Sequence, residues 1–275
     1  MKFDELTYTI AEMMGPPQKL TIRADGAMRY ESYSNTSTPD NPEIGVYEGT
    51  LSRGEMDLLN RTVTEPPIQS LPDHHGRVVP GDRYQRLVVS TGSGRSEAMI
   101  GTHEPVDPQL KKLFGLLDQV VAMALRFPKR TVQLTVSRAD IDSKGMLEIE
   151  FELAGGGVEP VVIVNPAKLA GGPGLSIRGV PDKPPAEFQS GEVIGVEIEK
   201  VERNRDVAPG DLFVELAPGT KISARATTRI VVPTSQSYQL QLIYQNTTEY
   251  PERPGVVIGE LNSKRIRMKV PAIRP

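Results

Sequence analysis

From Leu212 to Val270 the chain alternates apolar and polar residues over a length that suits half-buried β-strands. Tyr238, Leu240, Leu242 and Tyr244 alternate with Gln239, Gln241, Ile243 and Gln245. Ile266, Met268 and Val270 alternate with Arg265, Arg267 and Lys269. A period of two puts one face on a core and the other in water. Ile222 to Val232 is rich in β-branched residues, and Leu216-Ala217-Pro218-Gly219 forms a turn before it. Three long strands joined by turns are therefore expected here, with no helix. Such a segment presents surface more readily than it assembles chemistry.

The first half mixes two periods. Leu6, Tyr8 and Ile10 alternate with polar neighbours, Leu20 and Ile22 resume the pattern, and Asp25-Gly26 reads as a hairpin turn before Met28 and Tyr30. Ser52 with Glu55 three residues later spells a capping box. It opens a helix whose stripe is Met56, Leu59 and Val63. Asp107-Pro108 opens a second helix with an apolar face of Leu110, Leu113, Phe114, Leu117, Val120, Val121 and Ala124. This half is expected to be an α+β domain over 1–128, an antiparallel sheet with both helices on one face.

Beyond Lys129 no helical period is apparent. Strands are expected near 131–138, 146–153, 159–164, 192–202 and 211–216, followed by the three already described. Seven or eight strands with Gly- and Pro-rich turns imply an all-β sandwich over 131–275. Ala154-Gly155-Gly156-Gly157 reads as a hairpin loop and Pro166–Gly191 as a long loop of a kind often used for function.

Composition excludes several activities. The 275 residues include no Cys, which removes disulfides, thiolate nucleophiles and thiolate-bound metals. Net charge is −3 and Trp is absent, so neither a global field nor a well-stocked stacking platform favours nucleic acid. Mean hydropathy is −0.31 and no apolar run approaches the roughly 20 residues of a membrane span. Asp4 and Glu5 follow Lys2 where a secretory signal would be basic and then apolar, so a cytoplasmic location is expected.

Leu216-Ala217-Pro218-Gly219, Tyr238-Gln239-Leu240 and Ser263-Lys264 resemble the L-x-P-G turn and later Y-x-L strand of bacterial immunoglobulin-like modules. The resemblance covers about half the chain and implies architecture only. The Leu20–Tyr30 hairpin around Asp25-Gly26 is similar to the opening of small bacterial α+β domains of unknown function. Neither resemblance carries catalytic residues.

Candidate chemistry is sparse. His74, His75, His103 and Asp82, with Asp73, could ligate a divalent ion, but they lack the i, i+4 spacing of a helical His motif and equally suit a solvated loop. Asp140-Ile141-Asp142-Ser143-Lys144-Gly145 resembles the start of a calcium loop. Phe151 stands where its bidentate Glu should be, so a turn is the expectation. No metal and no cofactor are expected. Arg265, Arg267 and Lys269 share one side of the last strand, which offers either a site for an anionic partner or the charge protection of an edge. Tyr250 and Arg253, in the loop before it, are residue types that anchor interfaces. The expected function is that of a non-catalytic protein-binding or adaptor protein. Alternatives are a hydrolase or small-molecule enzyme with its site between the domains, and an intracellular protease inhibitor using the sandwich's end loops.

Overall fold

A computed structural model describes residues 2–12, 17–35, 42–64, 74–75, 83–101, 107–182, 194–203, 211–232, 236–251, 253 and 255–272. The chain divides into two units, residues 1–34 with 45–129 and residues 35–44 with 130–275.

In the first unit the elements run β1 (Glu5–Glu12), β2 (Gln18–Arg23), β3 (Ala27–Ser32), β4 (Glu43–Thr50), α1 (Arg53–Val63), β5 (His74–His75), β6 (Arg83–Thr91), β7 (Gly94–Gly101) and α2 (Pro108–Ala124). Their sheet order is β4-β3-β2-β1-β6-β7, antiparallel, with the short β5 parallel on β7. Ser52 and Glu55 make the reciprocal cap of α1, and Asp107 accepts from the Gln109 and Leu110 amides at the start of α2. These caps satisfy amides that have no partner within the helix. One buried cluster joins Leu113, Phe114, Leu117 and Val121 to Leu20, Ile22, Leu87 and Val89. Tyr8 stacks on Phe114, donates its hydroxyl to Asp118 at 3.0 Å and accepts from Gln85 Nε2 at 2.6 Å. Burial, then the charge of Asp118, pushes the Tyr8 hydroxyl well above its usual range. Desolvation in turn raises the Asp118 carboxyl.

The second half supplies β8 (Pro128–Ile141), β9 (Met146–Gly157), β10 (Val161–Val164), α3 (Pro166–Leu169), β11 (Leu175–Pro181), β12 (Ile194–Glu197), β13 (Lys200–Arg203), β14 (Phe213–Leu216), β15 (Lys221–Arg229), β16 (Gln236–Asn246), β17 (Gly259–Asn262) and β18 (Ile266–Val270). They form three antiparallel runs: β13-β15-β9-β8, the pair β10-β14, and a five-stranded sheet β12-β11-β16-β17 with β18 also on β16. Leu147, Ile149, Phe151 and Leu153 share one buried cluster with Ile177, Tyr238, Leu240, Leu242 and Tyr244. Ile222 and Met268 pack against it, and Ile266 is half-buried. Tyr244 donates to Val164 O at 2.8 Å and so ties β16 to β10. Asn35 belongs to this unit as well, exchanging hydrogen bonds with the Asn262 backbone at 2.8 Å each way.

The expected fold class is corrected. An α+β domain with two helices on one face, followed by an immunoglobulin-like sandwich, is not what the structure shows. Among the described residues the protein is mostly β, with 58% strand and 15% helix in three helices. The third, α3, lies in the half expected to be purely β. It is capped by Asn165, whose Oδ1 accepts from the Ala167 amide at 3.2 Å. The expected hairpin loop also proves to be strand, as do residues 175–181 of the expected long loop. Gly155, Gly156 and Gly157 continue β9, because a Cβ at Gly156 would come within 2.4 Å of Thr131 Oγ1 on the paired strand β8. The supposed long loop contains β11, in the middle of the five-stranded sheet. Gly179 lies within that strand because a Cβ there would meet Leu240 Cδ2 at 2.6 Å and Ile194 Cβ at 3.0 Å. Glycine here marks close strand packing, not a turn.

Candidate functional site

The five-stranded sheet turns a basic face outward, and a β-bulge determines which residues form it. β17 and β18 pair in succession along the same flank of β16, ending at Asn262 opposite Ile243 and resuming at Ile266 opposite Leu240. Three residues, 263–265, therefore stand opposite two, 241 and 242. Ser263 holds this bulge. Its amide donates to Leu242 O at 2.9 Å, its Oγ accepts from the Leu242 amide at 3.0 Å, and its carbonyl accepts from Gln241 Nε2 at 2.7 Å. Leu261 is buried, so unbroken alternation would carry residues 265, 267 and 269 inward after it. The extra residue shifts the phase. Val270 is consequently buried, Ile266 and Met268 are half-buried, and Arg265, Arg267 and Lys269 are exposed.

Directly opposed residues in antiparallel strands share a face. Arg267 stands opposite Gln239 and Lys269 opposite Ser237. Gln241 stands opposite Arg178 of β11, and Arg178 opposite Gly195 of β12. Arg178, Arg267 and Lys269 thus share one exposed surface with Gln239 and Gln241 between them. Glu197, opposite Ser176, and Glu260, opposite Gln245, share this surface farther along, and Asp182 is the acid set among the cations. Its side chain is only 15% exposed, and it accepts from Arg267 Nε at 2.5 Å and from Gln239 Nε2 at 2.7 Å. Among the described residues, Arg178, Lys264, Arg265 and Lys269 make no ion pair.

Tyr250 and Arg253 are turned to a different task. The Tyr250 ring meets Phe213 of β14 edge-on at 4.9 Å, and Arg253 pairs with Glu215 of the same strand at 3.4 Å. The Val257 amide donates to Val162 O at 2.8 Å, so this loop lies along the β10-β14 pair.

A second charged surface lies on the β13-β15-β9-β8 run. Its register lines up Glu202, Arg225, Glu150 and Arg138 across four strands in alternating sign. Arg225 reaches Glu150 at 3.1 Å and Glu148 at 3.6 Å, Lys221 reaches Glu152 at 2.7 Å, and Lys200 and Arg138 pair with Glu202 and Asp140 at 2.5 Å each. The hydrogen bond from Lys200 holds the Glu202 carboxyl below its ordinary range, and that to Asp140 raises the Arg138 guanidinium. A depression of about 390 Å³ opens here where Ser137 bulges out of β8, lined by Ser137, Glu150, Glu152, Glu202, Ser223 and Arg225. Its charges are matched within the sheet itself.

Of the metal candidates, only the backbone of His74 and His75 is described. His103, Asp73 and Asp82 lie outside the described residues, as do the side chains of His74 and His75, whose backbone forms β5. Among the described residues no group of three or more His, Asp or Glu is arranged to hold an ion. Asp142 Oδ1 accepts from the Lys144 and Met146 amides at 2.8 and 2.9 Å, which is a side-chain-closed turn. Among the described residues no helix is long and apolar enough to cross a membrane. Sequence reasoning missed Arg178, because it lay in the supposed loop. The signal was the alternation of Leu175, Ile177 and Gly179 around it.

No family model and no curated protein matches the chain. Solved structures align with parts of it, two of them as follows. One is AvmM, which catalyses macrocyclization in alchivemycin A biosynthesis, at 8% identity and a TM-score of 0.27, covering 54% of this chain and 90% of that one. The other is the archaellum periplasmic stator protein FlaG from Sulfolobus acidocaldarius, at 15% identity and a TM-score of 0.19, covering 46% and 95%. At these scores neither likeness establishes a fold, and neither indicates an immunoglobulin-like module.

Proposed function

We propose that this chain is a non-catalytic protein-binding module that engages its partner through the outward face of the five-stranded sheet. The observation that carries this reading is the set of unpaired cations on that face. Arg178, Arg265 and Lys269 stand exposed without an ion pair among the described residues, while the other charged sheet surface neutralises itself across its strands. Fixed positive charge on a flat sheet steers and registers a complementary surface, and costs little while solvated.

The test compares capture from a native lysate by the wild-type chain and by an Arg265→Gln/Arg267→Gln/Lys269→Gln variant, at low and at moderate salt. A protein held by the wild type, lost from the variant and released by salt supports the reading. Identical captured proteins on both baits would end it.

A further inference from the structure

We infer that the occupant of this face is an acidic polypeptide segment in extended conformation; this rests on the protein-binding reading above. The cations supply the first half of the argument. Arg265, Arg267 and Lys269 recur at every second residue, so neighbouring side chains emerge roughly 6.5–7 Å apart along the edge of the sheet. An extended segment with Asp or Glu at alternate positions has the same pitch. Arg178, two strands away, lies about 9–10 Å across the sheet from that row and offers a further cation to the same ligand.

The two glutamines between the cations supply the second half. The Gln239 amide nitrogen donates to the Asp182 carboxylate and the Gln241 amide nitrogen to the Ser263 carbonyl. Both of those partners can only accept, so the orientation of each amide is fixed. Each glutamine therefore keeps its amide oxygen as an acceptor that no group among the described residues engages. The face presents cations interleaved with neutral acceptors. A polypeptide matches both, since its carboxylates meet the cations and its backbone N–H groups meet the acceptors. A DNA sugar–phosphate backbone brings anions and neither N–H nor O–H, and leaves the acceptors without donors. Among the described residues this face also carries no aromatic ring on which a base could stack.

The experiment measures binding of fluorescent probes to the full chain by anisotropy. The probes are a peptide alternating Glu with Thr, the same peptide with N-methyl groups on alternate backbone nitrogens, a block peptide with all its Glu at one end, and oligothymidylate. The alternating peptide should bind tightest and weaken several-fold on N-methylation. It should weaken roughly fivefold in an Arg178→Gln/Lys269→Gln variant, in line with two exposed ion pairs lost. Tighter binding of oligothymidylate, equal binding of the N-methylated peptide, or peptide affinity indifferent to the variant would each overturn the inference. If capture from lysate depends on the basic residues while the alternating peptide fails to bind, the inference falls and the protein-binding reading stands. If neither responds, both fall.

Discussion

Two charged surfaces stand on one hydrophobic core in the second unit, and they solve the same problem in opposite ways. Behind the first lie Leu147, Ile149, Phe151 and Leu153; behind the second lie Tyr238, Leu240 and Leu242, all in one buried cluster. Alternation sends charge outward in both. On β13-β15-β9-β8 the register sets unlike charges opposite one another, so Glu202, Arg225, Glu150 and Arg138 close into a ladder. On the five-stranded sheet the register sets Arg267 and Lys269 opposite Gln239 and Ser237, and Arg178 opposite Gln241. The strands also differ in composition: β9 sets Glu148, Glu150 and Glu152 on its outer face where β16 sets Gln239 and Gln241. Composition and pairing together decide which face is self-sufficient and which is left with charge to share.

The comparison breaks most completely if the two faces do not share a core. Phe151 is 1% exposed behind the ladder, and Phe151→Ala should cost about 3–5 kcal/mol. Loss of the five-stranded sheet should coincide with loss of the other run in a urea titration followed by fluorescence and by circular dichroism. Two separated transitions would show two cores.

The bulge offers a sharper contrast. Deleting Lys264 leaves two residues opposite two and keeps Ile266, Met268 and Val270 facing inward, so the variant should lose under about 1 kcal/mol. Deleting Arg267 instead cannot be absorbed without turning Arg265 or Lys269 toward the core, and should cost about 3 kcal/mol. Equal stability of the two deletions by chemical denaturation would show that the bulge does not set the phase.

The strand that sequence reading mistook for a loop should be sensitive at its glycine. Gly179→Ala forces a methyl against Ile194 Cβ and Leu240, and an overpacked site of this kind should lose about 1–3 kcal/mol. A stabilised variant, measured by its denaturation midpoint, would mean the site was a loop after all.

What the sequence disclosed follows from periodicity. The alternations of β16 and β18 and the Ser52–Glu55 cap are local signals that depend on a few neighbouring residues, and each is present in the structure. Three things were illegible. β11 was hidden because Gly171-Gly172-Pro173-Gly174 and Pro184-Pro185 bracket it with turn residues, and its own Gly179 counted as another breaker. The bulge at Ser263–Arg265 leaves no composition signal, because only the partner strand shows that a residue is extra. Cross-strand pairing is likewise a long-range property: Glu150 and Arg225 are 75 residues apart, and nothing local says that they meet. The basic stripe was therefore visible on its own strand, while Arg178 and the glutamine acceptors beside it became part of a site only once β11 and β16 were in register.

Within the ladder, a double-mutant cycle on Glu150→Gln and Arg225→Gln should give a coupling of about 0.2–1 kcal/mol. Both side chains are well exposed, at 36% and 47%, so the coupling should shrink as salt is added. The corresponding cycle on Arg178→Gln and Lys269→Gln should give no stabilising coupling, because neither cation has an acid to lose. A coupling equal in both cycles would erase the distinction between the faces.

The smallest effect is the titration of Glu202. Its carboxyl is held below the ordinary range by the hydrogen bond from Lys200 Nζ, then by that group's charge. A carboxyl whose folded pKa is lowered adds stability above its unfolded pKa and loses it as pH falls through the folded one. The ladder should therefore loosen only on acidification below the ordinary Glu range. Following the Glu202 side-chain carbonyl by NMR should give an inflection below that of a free Glu, and Lys200→Met should move it back up. The same substitution should leave the Arg267–Asp182 pair on the five-stranded sheet unchanged, since none of the hydrogen bonds to Asp182 comes from β13. An unshifted Glu202 in the wild type would mean that the exposed Lys200 pair forms too rarely in water to count. The face would then owe its neutrality to Arg225, Lys221 and Arg138.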